Sequence, residues 1–312
     1  MTTKTESIST DTQNDYRSNS LARLTLRRIF RQRSAIIGGT ILILLIFVAI
    51  FAPLLAPYDP EEVLIGKEEG ISRRAAPCIH LLGCPEDQTQ HILGTDGNVR
   101  DVFSRVIFGT RVSLFIGFST VGFAIVIGTL LGAVGGFLGG WVDNLIMRSM
   151  DVLLAFPSLL LAIAIVSVLG RGLQNALLAI AIVTIPVYAR VVRASVLSVK
   201  EQEYVSASRA LGGSQFHILF RRILPNAIPP LIVQGTLGIA GAILDAAALS
   251  FLGLGAQPPT AEWGTMLGSE RNQVFTAPHL VFFPGLAIMI TVLSFNLLGD
   301  GLRDAIDPRL KQ

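Results

Sequence analysis

Residues 35–56 read A-I-I-G-G-T-I-L-I-L-L-I-F-V-A-I-F-A-P-L-L-A, a stretch without one charged side chain. At 1.5 Å per residue it spans about 33 Å as a helix, which matches the hydrocarbon core of a bilayer. Most of these residues are Ile, Leu, Phe or Val. Each favours insertion by roughly 0.3–0.6 kcal/mol, so the run gains on the order of 6 kcal/mol. A cleaved leader is the competing reading. The apolar stretch is too long for one, and the polar segment ahead of it is unusual for a leader.

The same pattern recurs along the chain. Uncharged runs occupy 112–142, 152–170, 172–189 and 272–299, and the run 223–261 is broken only by Asp245. In lipid, backbone polar groups must bond within their own segment, so these runs predict helices, and Pro157, Pro186, Pro229 and Pro230 are tolerated inside them. Composition agrees. Of 312 residues, 51% are hydrophobic and 15% charged, against about 25% charged in a soluble domain. The expectation is an all-α membrane protein with six transmembrane helices. Its parts are an arm (1–33), a first transmembrane helix (34–56), an outer loop (57–110), a five-helix core (111–302) with a polar loop at 198–225, and a tail (303–312).

Flanking Lys and Arg set orientation. Arg23, Arg27, Arg28, Arg31 and Arg33 precede the first run, which predicts a cytoplasmic N-terminus; residues 23–33 read either as a short basic amphipathic helix on the inner leaflet or as a flexible, solvated arm. Six spans then put the 198–222 loop (Lys200, Arg209, Arg221, Arg222) and the tail (Arg303, Arg309, Lys311) on the same side. Arg100, Arg105 and Arg111 run against this trend, because they fall near the outer end of the second span.

Several chemistries are excluded. The four lysines are Lys4, Lys67, Lys200 and Lys311, and none sits in G-x-x-x-x-G-K-[ST]. The chain has no phosphate cradle of its own, so ATP and its Mg ion, if used, are bound by a partner. There is no H-E-x-x-H, and His80, His91, His217 and His279 are scattered. No catalytic set, resident metal or nucleic-acid partner is expected. A secondary transporter is a second reading, but no internal repeat is visible and one intramembrane acid is thin for ion coupling.

Cys78 and Cys84 are the only cysteines and both lie in the outer loop. A disulfide on the oxidising side is the expectation. Two free thiols, or a metal site with His80 and His91, are the alternatives that spacing leaves open. Gly128, Gly132, Gly136 and Gly140 recur every four residues. They make a stripe that admits a close helix neighbour, either within this chain or on a second subunit. Asp245 is the one acid inside an uncharged run. It is a candidate for the translocation path, with Gln234 and Asn296 as weaker ones.

The loop E-Y-V-S-A-S-R-A-L-G-G-S-Q-F-H-I-L-F-R-R-I-L-P-N (203–226) is polar, basic and helix-competent between two apolar runs. Tyr204, Ala207 and Leu211 share one helical face. Glu203 suits the start of a helix, and Gly212-Gly213 its end. So short a helix is marginal alone and needs a surface to pack on, its own bundle or a partner.

This loop resembles the E-A-A-x-x-x-G…L-P segment of ABC-importer permeases. Ser206, Ala207, Ser208, Arg209 and Gly212 fall on the motif, and Leu224-Pro225 closes it. Ser206 stands in place of the usual glutamate, Ser208 in place of the second alanine, and Arg222 at an isoleucine position. H-I-L-G-T-D-G-N-V-R-D-V-F-S-R-V-I-F-G-T-R-V-S-L-F-I-G (91–117), with Val99 where the pattern usually has glycine, resembles the peptide and nickel importer permeases. The segments 139–163, 243–267 and 295–312 are similar to the dipeptide branch.

The resemblance implies a type I importer permease fold in the cytoplasmic (inner) membrane, in contact with lipid. It also implies a second homologous permease, two ATP-binding-cassette ATPases and an external peptide-binding protein as partners. Tyr204, Ser206–Arg209, Gly212 and Pro225 would then face the ATPase. The cargo would be dipeptides or short peptides, with nickel, glutathione or heme as alternatives.

Overall fold

The computed structural model describes residues 32–67, 70–85 and 89–306. The basic segment 23–33, surface helix or solvated arm, falls outside this range except for its last residues, as do residues 307–312 of the tail. Among the described residues the regular structure is helical, with two isolated bridges, Cys78 to His91 and Thr95 to Asp101. The main helices are α1 (Arg33–Ile50), α2 (Val102–Leu138), α3 (Gly140–Leu154), α4 (Ser158–Leu169), α5 (Leu173–Lys200), α6 (Glu203–Ala210), α7 (Leu224–Phe251), α8 (Trp263–Glu270) and α9 (His279–Ile306).

Five helices are long and apolar enough to cross a bilayer: α1, α2, α5, the continuous helix over 215–251 that contains α7, and α9. A sixth crossing exists only if α3 and α4 count together, and these meet at an angle of 91°. The expectation of one straight span over 152–170 is therefore corrected. Pro157 disfavours helical backbone at Phe156 and offers no N–H to a preceding turn. Helix α3 stops at Leu154 and α4 restarts at Ser158.

Other boundaries shift for local reasons. Helix α1 ends at Ile50, and Pro53 opens a separate turn, Ala52–Leu55. Helix α2 begins at Val102, inside the expected outer loop, because Asp101 caps it by accepting from the Ser104 amide at 2.7 Å. Helix α9 runs on to Ile306, past the expected end of the core.

Helices α2 and α5 form the centre of the bundle, and the glycine stripe brings them together. A Cβ on Gly128 would lie 2.7 Å from the Tyr188 Cβ. One on Gly132 would lie 3.0 Å from the Arg193 amide nitrogen and collide with the Ala189 carbonyl. One on Gly136 would sit 3.1 Å from the Arg193 carbonyl. The stripe thus serves packing within this chain. Gly140 is different: it faces open space at φ +56° and turns the chain into α3. Helix α1 lies along α9, where a Cβ on Gly38 would lie 2.6 Å from the Leu298 amide nitrogen.

The segment from 57 to 101 is strapped onto the bundle. Cys78 and Cys84 are joined by a disulfide. Arg74 Nε donates to Glu270 at the end of α8 at 2.8 Å, and the Gly97 amide donates to the same carboxylate at 2.9 Å. Arg100 pairs with Asp96 at 2.8 Å, and buried Arg105 donates to the Pro259 carbonyl at 3.1 Å. These contacts explain why Arg100 and Arg105 lie where the charge rule disfavours them: both are sequestered in pairs and carbonyl cages. Val99 occupies left-handed backbone at φ 57° and is buried. A β-branched residue is strained there.

Candidate functional site

The polar loop projects from one end of the bundle, here called the α6 end. Helix α6 is seated by a single buried residue, Val205, with Ile218 and Ile223 buried beneath the segment that follows. Gly212 terminates it at φ +81°, backbone that a Cβ disfavours. The Ser214 hydroxyl accepts from the His217 amide at 3.3 Å and caps the next turn, Gln215–Ile218.

Leu219 is buried with Ile218 and Ile223, and most other side chains of the loop are exposed. Tyr204, Ser206, Ala207, Arg209, Gly212 and Pro225 are exposed, and Ser208 is half-exposed. Leu211 is 89% exposed. Ala207 and Leu211 of the predicted helical face therefore have no seat on the bundle, and Tyr204 of the same face is 43% exposed. Exposed large apolar side chains grouped on a polar loop mark a docking surface.

This surface is wired to the membrane helices. The Tyr204 hydroxyl reaches the Arg222 carbonyl at 3.5 Å, and Asn226 donates to the same oxygen at 2.7 Å. Arg222 lies in a π-helical turn, Leu219–Ile223, that leads directly into α7. Such turns are uncommon and gather at functional positions.

One feature escaped the sequence reading. Phe216 and Phe220 stack with centroids 4.4 Å apart. They line an apolar groove of about 450 Å³ against the end of α2, beside Leu130, Val134 and Phe137. The i, i+4 aromatic pair was visible in the sequence, but its partner on α2 was not.

The candidate path residues are dispersed. Gln234 and Asp245 lie three turns apart on one side of α7, and Asn296 lies on α9. All three are half-exposed. Their side chains make no hydrogen bond or ion pair among the described residues, so they form no preassembled cluster. At the opposite end of the bundle, Glu262 caps α8 by accepting from the Gly264 and Thr265 amides at 2.9 and 2.8 Å. Burial pushes this carboxyl above its ordinary range, and the two amide bonds pull against that shift.

Comparison with known proteins follows the same lines. The profile of the binding-protein-dependent transport system inner membrane component matches residues 124–312. That of the N-terminal transmembrane domain of oligopeptide transport permease C matches 20–77. The dipeptide transport system permease protein DppC of Alkalihalophilus pseudofirmus is 46% identical over 299 residues, covering 96% of this chain and 93% of that protein. The di/tripeptide permease DppC of Pseudomonas aeruginosa is 50% identical over 283 residues, 90% of each chain. The glutathione permease GsiD of an Escherichia coli O6 strain is 48% identical over 285 residues, 91% of this chain and 89% of that one. Among solved structures, a chain of the MetNI methionine ABC transporter superposes with a TM-score of 0.55 at 19% identity, covering 65% of this chain and 97% of that chain.

Proposed function

The chain belongs to the inner membrane components of binding-protein-dependent transport systems, and from that premise we propose that it is the permease subunit through which an ATP-driven importer moves dipeptides and other short peptides inward. Membership makes it a multi-pass transport protein of the inner membrane rather than an enzyme, one that works with an ATPase and a binding protein. The observation that carries the mechanism is the outward face of α6. It offers Tyr204, Ala207 and Leu211 to a partner while Val205 alone anchors it.

In this reading the α6 end is cytoplasmic, as are both termini, and the ATPase grips α6. Closure of two ATPases, which hold ATP and Mg, pushes on α6. The Tyr204–Arg222 contact and the π-helical turn pass that displacement to α7. Helix α7 carries Asp245 and Gln234, so the path wall shifts with the motor. A second homologous permease completes the pore, and lipid surrounds both. An unpaired intramembrane carboxylate is costly unless it meets water or a cation, which supports Asp245 as a lining group that attracts the ammonium end of a peptide. The names of the relatives support short peptides, with glutathione in the same class, as cargo.

The test is ATP-dependent uptake of labelled dialanine in cells that lack the gene. Restoration by the chain, with competition by glutathione measured in parallel, is the expected result. Uptake that is unchanged by deletion would overturn the peptide reading.

A further inference from the structure

At the end of the bundle opposite α6, two large apolar side chains stand almost fully in the open. Leu81 is 95% exposed and Phe275 is 99% exposed. Each sits on a turn that the fold holds in place.

Leu81 lies in a single 3-10 turn, His80–Leu82. The Cys78–Cys84 disulfide closes the loop around it. Inside that loop the Gly83 amide donates to the His80 carbonyl at 3.2 Å, and the Cys84 amide donates to the Ile79 carbonyl at 3.3 Å. The root is equally fixed. The Cys78 amide donates to the His91 carbonyl at 2.8 Å. The buried His91 ring pairs with Asp101, the cap of α2, at 2.9 Å. The tip is therefore an ordered extension of the start of α2.

Phe275 lies in the segment 271–278 between α8 and α9. The strap grips both ends of that segment. Arg74 donates to Glu270 at 2.8 Å. A Cβ on Gly94 would collide with the Ala75 carbonyl and lie 3.0 Å from the His279 Nε2, so Ala75 and His279 meet there. At about 3.3–3.6 Å per residue, Leu81 lies within about 20 Å of Ala75, and Phe275 within about 14 Å of His279. One partner with a footprint of about 800 Å² can span both.

The surroundings of the two turns are polar. Arg73, Arg74, Thr89 and Gln90 are exposed near the first, Arg271 and Asn272 near the second. In hydrocarbon such groups are costly, so the turns stand in water, where a bare Leu or Phe gains by being covered. A leucine ordered by a disulfide is a preorganised anchor, because its ordering cost is met before a partner arrives. The loop 78–84 also falls between the two matched family profiles, 20–77 and 124–312. The motor occupies the α6 end in the reading above, which leaves this end to the binding protein.

We propose that the disulfide-closed turn 78–84, with Leu81 as its anchor and Phe275 beside it, is a docking surface for the peptide-loaded extracytoplasmic binding protein. This rests on the importer reading above and on its orientation. Because the turn extends from the cap of α2, the partner seats on a helix at the centre of the bundle.

The experiment measures binding of the cognate binding protein, loaded with dialanine, to the full importer in lipid nanodiscs. Leu81→Ala removes three carbons and should weaken the complex about thirtyfold. Phe275→Ala should weaken it about tenfold or more. Both residues are exposed, so neither variant should move the unfolding midpoint or the rate of ATP hydrolysis without binding protein. Cys78→Ser combined with Cys84→Ser keeps Leu81 and loosens the turn, and should weaken binding several-fold. The difference emission of Leu81→Trp against wild type should be that of an indole in water, and should shift to the blue when binding protein is added. Binding that tolerates Leu81→Ala would overturn the proposal. So would blue emission of Leu81→Trp in nanodiscs alone, which would seat the turn in lipid. Failure of the wild-type importer to bind the loaded protein at all would remove the importer reading, and this surface with it.

Discussion

Leu211→Ala separates docking from folding. Leu211 is 89% exposed, so truncating it should change the stability of the isolated subunit by no more than about 0.5 kcal/mol. On the docking reading, the ATPase covers this side chain in the complex. The substitution then removes three carbons at about 0.8 kcal/mol each, and the expected loss is about 2 kcal/mol, or roughly thirtyfold in the dissociation constant. Two measurements on the detergent-solubilised protein decide it: the affinity for the purified ATPase subunit and the thermal unfolding midpoint. A weakened complex with an unmoved midpoint is expected. Unchanged affinity would show that the exposed face is not the docking face. A midpoint that drops in step with affinity would place Leu211 in the fold.

Three further outcomes follow from the packing, the path and the electrostatics. Gly132→Ala places a methyl group against the Ala189 carbonyl and should destabilise the protein by about 1–3 kcal/mol. Gly122→Ala, which meets nothing, should be neutral or stabilising by about 0.5–1 kcal/mol, and equal midpoints for the two would refute the close α2–α5 contact. Asp245→Asn should lower dipeptide uptake several-fold while co-purification with the partners survives; unchanged uptake would remove the residue from the path. Glu262 has its carboxyl raised by burial, so the folded state holds this proton more tightly than the unfolded one. Its contribution is present in acid and is lost as pH climbs above the ordinary carboxylate range. The midpoint advantage of wild type over Glu262→Gln should therefore shrink from pH 5 to pH 7; an advantage that grows would contradict this assignment.

What the sequence disclosed depended on how local the determinant was. The hydrophobic runs are local, so α1, α2, α5, α7 and α9 were legible. The α6 loop was legible because Gly212 and the flanking apolar runs mark its ends. Helix α3 was missed because Asp143, Arg148 and Asp151 interrupt the apolar pattern between the runs 112–142 and 152–170. Arg193 and Arg190, which pair with Asp143 and Asp151, lie about 40–50 residues away on α5, and a pair of that separation has no sequence signature. Arg105 misled for the same reason, since the carbonyls that cage it belong to Pro60, Pro259 and Thr260. Val99 was flagged only as an oddity. Its positive φ shows what it disturbs: a turn suited to glycine, held by a buried valine. At the functional surface, the sequence located Tyr204, Ala207 and Leu211 on one face but could not say whether that face looked inward. Burial of Val205 on the other side settles it.

The central claim is that α6 is the handle by which a separate motor drives this permease. Its most direct test is purification of the tagged chain in mild detergent, with mass identification of whatever accompanies it. The account predicts a Walker-motif ATPase alongside the wild type, and its loss when Ala207 and Gly212 carry bulky side chains while the chain itself still purifies as a folded protein. A chain that comes out alone, or that keeps the ATPase despite those substitutions, would contradict it.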